Sequence, residues 1–137
     1  MSTNTPRPLP YGPEKRRRLK DQVLGRLVFS TIPDELNAVD HFAAILDRVE
    51  QHGLGIHGID VGSEEEGGFF AEIFEQSGCE ACTEPRWYRT AFQEMNRAFG
   101  HIPGLWFSAT YYVPEELIEA EAVREREEER ERSRKAP

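Results

Sequence analysis

The sequence predicts an α+β fold in the order β-α-β-β-α-β, a two-layer sandwich flanked by charged terminal helices. Three observations predict it. Short β-branched and aromatic runs recur along the chain. Two longer segments between them repeat apolar residues at helical spacing. Gly or Pro marks the changes of period.

Residues 1–13 hold Pro6, Pro8, Pro10 and Pro13 and almost nothing apolar, which predicts a polyproline-like arm. Residues 14–24 read as a short helix bearing Lys15, Arg16, Arg17, Arg18 and Lys20. Residues 26–32 (RLVFSTI) are β-branched and aromatic, stop at Pro33, and read as the first strand. Leu36, Val39, Phe42, Ala43, Ile45, Leu46 and Val49 follow helical spacing. With Pro33 in the first turn and Gly53 at the C-cap, they predict a helix over 33–52.

Residues 56–61 and 69–74 predict a hairpin closed by the glycine- and glutamate-rich turn 62–68. Thr83 is the expected N-cap of a second helix, with Pro85 in its first turn. Its stripe is Tyr88, Ala91, Phe92, Met95 and Phe99, and Gly100 ends it. Residues 105–113 alternate and form the last strand. Beyond Pro114 the chain is nearly all Glu and Arg, a solvated helix held by charge pairs three or four apart.

This order is the split βαβ pattern of ferredoxin-like folds, with both helices on one face of the sheet. Strand parity then sorts the side chains. Leu105, Phe107, Ala109, Tyr111 and Val113 face the helices. Phe70, Glu72, Phe74, Trp106 and Tyr112 fall on the open face, with Phe29 as a further member. So many aromatics on one face call for a cover. A terminal helix of the same chain, a second copy and a foreign partner are the three alternatives.

The 137 residues allow one domain with extensions. The expected division is a Pro-rich basic arm over 1–22, a globular part over 23–117 and a charged tail over 118–137. These carry net charges of +4, −11 and −1, for −8 overall. A body of that sign repels phosphate backbones and attracts basic proteins. No run approaches about 18 apolar residues, so no membrane span is expected. The N-terminal residues contain no apolar leader, which makes the cytoplasm the expected location.

The most specific local signal is Cys79-Glu80-Ala81-Cys82 ahead of a helix. Thiols there are favoured as thiolates by the helix dipole. The order strand, Cys79-x-x-Cys82, helix resembles the thioredoxin arrangement in outline. Pro103 before a strand resembles that family's proline position. The resemblance covers about 35 residues. It lacks the strand and helix between the two parts, and the Trp that usually precedes the first Cys. It implies a dithiol redox role.

The same cysteines are half of a zinc site, with His52 as the best-placed further ligand. Ordinary reduced cysteines at a helix start are the plainer reading. Asp60 with Glu64, Glu65 and Glu66 lacks the alternating ligand spacing of an EF-hand and reads as a solvated hairpin tip. His57 is placed on the face of Ile59 and Val61. The RNA-recognition motif shares the strand order, but here Gly67 replaces its basic residue and Glu72 charges the stacking face.

No catalytic constellation is visible, so the sequence reads as a non-catalytic, acidic protein-binding module of the inhibitor, immunity or accessory type, expected to need no cofactor. The residues expected to carry binding are Asp60, Glu64, Glu65, Glu66, Phe70, Glu72, Phe74, Trp106 and Tyr112. The expected partner is a basic protein, with homodimerisation through the sheet face as a further possibility. Nucleic acid is expected, if anywhere, only at the basic arm carrying Lys15 and Lys20. The alternative is a thiol-redox or zinc protein built on Cys79, Cys82 and His52.

Overall fold

The computed structural model describes residues 11–75 and 81–135. The chain forms α1 (Pro13–Leu27), a 3-10 turn (Phe29–Thr31), α2 (Ala38–Gln51), β1 (Gly55–Ser63), β2 (Gly68–Phe74), α3 (Pro85–Phe99), β3 (Leu105–Tyr112) and α4 (Glu115–Lys135). This is an α+β arrangement of four helices and a three-stranded antiparallel sheet, compatible with a two-layer sandwich. The strand order is β2-β1-β3. Both neighbours of β1 run against it, so β2 and β3 are parallel to each other, and the connection between them carries α3.

The expected first strand is not a strand, and the β-α-β-β-α-β order therefore loses its first member. Arg26 and Leu27 complete α1, and Phe29–Thr31 turns as a 3-10 helix. The local β propensity of RLVFSTI is overridden because Leu19, Val23, Leu24 and Val28 continue one helical stripe, and all four are buried. The Ser30 and Thr31 hydroxyls donate back to the Arg26 and Val28 carbonyls, and Arg48 donates to the Thr31 hydroxyl oxygen at 2.9 Å.

Helix α2 starts at Ala38, not at Pro33. Asn37 is its cap: the side-chain oxygen accepts from the Asp40 N–H at 2.8 Å. Its end follows expectation, because Gly53 adopts φ +66° and lets the Leu54 N–H return to the Val49 carbonyl at 2.9 Å. In α3, Glu84 rather than Thr83 occupies the cap position, without a side-chain hydrogen bond, and Pro85 opens the first turn.

Ile56, Ile59 and Val61 of β1 are fully buried and face the helices. Phe42, Phe92 and Phe107 meet there with ring centroids 5.0–5.3 Å apart. The core also draws on both terminal helices. Leu19 of α1 and Ile118 of α4 are 0% exposed, and Ala122 is buried beside them.

The basic run of α1 meets the acidic start of α4. Arg16 pairs with Glu115 at 2.9 Å, Arg26 with Glu121 at 2.8 Å, and Arg18 donates two hydrogen bonds to Glu125. Exposed pairs of this kind contribute only about 0–1 kcal/mol each, so the apolar contacts dominate. From Arg124 onward α4 is mostly exposed.

Leu19→Ala and Ile118→Ala should each cost about 2–5 kcal/mol of stability in urea unfolding. Losses below about 0.5 kcal/mol, the range of solvated positions, would place the terminal helices outside the core.

Candidate functional site

The face of the sheet turned away from Ile59 and Val61 is the candidate site. Register lays its residues out as a grid. Asp60 of β1 stands between Glu72 of β2 and Ser108 of β3. Gly58 stands between Phe74 and Thr110, and Gly62 between Phe69 and Trp106. The two glycines are required by the rings beside them. A Cβ at Gly58 would stand 2.7 Å from the Phe74 ring, and one at Gly62 would collide with the Trp106 ring and the Gly68 carbonyl oxygen. Phe74 and Trp106 therefore lie over the central strand, on either side of Asp60.

Bulges decide two placements that parity alone misassigns. A register shift between Val61 and Gly62 gives β2 one extra residue, Phe70. Phe70 consequently turns to the helix side and stacks on Phe99 at 5.5 Å, and Phe69 takes the open face. Phe69 is 60% exposed and Phe74 53%. A second shift between Ile56 and Gly58 frees His57 from the face of Ile59 and Val61. Its ring meets the edge of Tyr112 at 5.9 Å, which extends the aromatic surface along β3. Phe29, expected here, instead packs edge-on against Tyr111 on the helix side, at 5.7 Å.

Asp60 and Glu72 meet directly across the ladder. Their side-chain hydrogen bond holds the Glu72 carboxyl above the usual carboxylate range, with some burial and the Asp60 charge acting in the same direction. Glu64, Glu65 and Glu66 form the exposed tip of the β1–β2 hairpin. The tip is anchored rather than loose. The Ser63 hydroxyl donates to the Pro103 carbonyl at 2.6 Å and accepts from the Glu65 and Glu66 N–H groups at 3.2 Å.

Of the proposed thiol or metal residues, Cys79 lies outside the described residues. Cys82 is fully buried against Gly55, and its carbonyl accepts from the Ile56 N–H at 2.9 Å. It thereby extends the pairing of β1. Trp87 fixes the same point by donating its indole N–H to the Ile56 carbonyl at 2.9 Å. His52 caps the C-terminus of α2 and is half-buried. Among the described residues no group of three or more His, Cys, Asp or Glu is placed to hold a metal ion, and no helix is long and apolar enough to cross a membrane.

Clefts lie elsewhere, among them two between or beside helices. A groove of about 510 Å³ between α1 and α4 is lined by Arg18, Arg26 and Arg124 against Glu121, Glu125 and Glu128, whose charges pair mainly among themselves. A more apolar one of about 480 Å³ runs beside Ile73, Trp87 and Ala91. Neither gathers a nucleophile, a base and an orienting group. No protein-family model matches the chain, and comparison with curated proteins and with solved structures gives no match.

The folded chain holds the Glu72 proton more tightly than an unfolded chain does. This group thus supports the fold fully below its ordinary value, about 4.3, and that support is lost as pH rises through the raised folded value. Glu72→Gln mimics the protonated form at every pH. Thermal unfolding should show the wild type losing ground to the variant as pH rises above the ordinary value and through the raised folded value. Parallel pH profiles would contradict the coupling.

Proposed function

We propose that this chain is a non-catalytic, acidic protein-binding module, with the cytoplasm as its location. It engages a basic protein through the open sheet face and the adjoining hairpin tip. One observation carries this reading: the face that holds Asp60 and Glu72 also leaves Phe69 and Phe74 more than half exposed, although the described residues include four helices with which to cover a sheet. Exposed aromatic surface costs solvation unless a partner covers it, and aromatic residues are enriched at protein interfaces. The acidic groups on and beside the face select for a partner of opposite sign and speed its approach.

Affinity purification at low salt, with mass identification of what co-elutes, tests this. Three baits are compared: wild type, Glu64→Gln/Glu65→Gln/Glu66→Gln, and Phe74→Ala/Trp106→Ala. The wild type should hold a basic protein that salt elutes. The hairpin variant should hold it less tightly, with a flatter salt dependence, and the face variant should lose it. Equal retention by all three at high salt contradicts the reading.

A further inference from the structure

The centre of the open face is built against its own stability. When both are ionised, Asp60 and Glu72 are like-charged groups on directly paired positions, an arrangement that destabilises an antiparallel ladder. They lie on the solvent-facing side of the sheet, Asp60 half-buried and Glu72 exposed, between two aromatic rings laid over glycines. Each glycine is two residues from Asp60, about 7 Å along the strand. That separation brings a cation seated on the carboxylates close to the reach of the neighbouring ring faces, about 6 Å.

The chemistry of an occupant follows from these parts. A second copy docked face to face would bring Asp60 and Glu72 against their own equivalents, in a chain of net charge −8. A phosphate backbone is repelled for the same reason. A lysine ammonium satisfies the charge but presents no flat surface to a ring. A guanidinium satisfies both. It is planar, carries five donors in a fork that carboxylates accept two at a time, and stacks on aromatic faces.

We propose that the open face is a docking site for an arginine-bearing segment of a partner protein, with the guanidinium held by Asp60 and Glu72 and flanked by Phe74 and Trp106. This rests on the protein-binding reading above and names the chemistry it recognises.

The test uses the full chain and a fluorescent nonapeptide alternating arginine with alanine, read by anisotropy, against its lysine counterpart. The arginine peptide should bind at least about fivefold more tightly than the lysine one. Asp60→Asn/Glu72→Gln should weaken it about tenfold or more. Trp106→Ala should weaken it several-fold and narrow the arginine-over-lysine preference. Should that variant fail to fold by circular dichroism, Phe74→Leu carries the same ring test. Glu127→Gln/Glu131→Gln, on the exposed part of α4, removes equal charge and should leave binding unchanged.

Equal affinity for the two peptides, or equal effects of the face and α4 double variants, overturns the proposal in favour of a general acidic field. A concentration-dependent dimer in sedimentation that Phe74→Ala abolishes overturns it in favour of a second copy. If the arginine peptide fails to bind while the Phe74→Ala/Trp106→Ala bait still loses its captured protein, the arginine claim fails and the protein-binding reading survives.

Discussion

Burial of Ile56, Ile59 and Val61 against the helices sets the orientation of β1, and the rest of the molecule is arranged around that orientation. Each side chain so buried contributes about 1.5–3 kcal/mol. A slip of one residue would expose them and drive Asp60 inward, so the register has no close competitor. The same constraint assigns Gly58, Asp60 and Gly62 to the other face. There the glycines accept the rings of Phe74 and Trp106. Core and candidate site are thus two sides of one strand.

The terminal helices add to the layer that already has a partner. Leu19, Val23, Ile118 and Ala122 join the same core as Phe42 and Met95. In doing so, α1 brings its arginines to the glutamates of α4. Of the positive run that a reading of the sequence alone offers to an external partner, Arg16 and Arg18 are answered within the chain. The sheet face keeps Asp60 and Glu72 without a basic residue on the facing grid positions, which are Ser108, Thr110, Trp106 and the aromatic corners. Sorting of charge follows from sorting of burial.

Much of this was legible in the residues. The stripe Tyr88, Ala91, Phe92, Met95 predicts α3, because nothing else in that window competes with the helical period. The alternation after Leu105 predicts β3 and correctly sets Trp106 and Tyr112 opposite Phe107 and Tyr111. The failures have local causes. RLVFSTI favours a strand by composition, yet its Val28 completes a buried helical face begun at Leu19. Pro33 suits a first helical turn, but Asn37 three residues before Asp40 offers a better cap. Phe69 and Phe70 exchange faces through a bulge whose nearest sequence signal is the Gly67-Gly68 pair, both at positive φ.

Hydroxyl-radical footprinting of the free protein across a range of concentrations tests the one-sided core most directly. Phe69, Phe74 and Trp106 should be modified readily and at rates independent of concentration, while Phe42, Phe92 and Met95 stay protected. Protection of Phe69, Phe74 and Trp106 to the level of Phe42 would mean that the chain or a second copy already covers this face, and the account would be wrong.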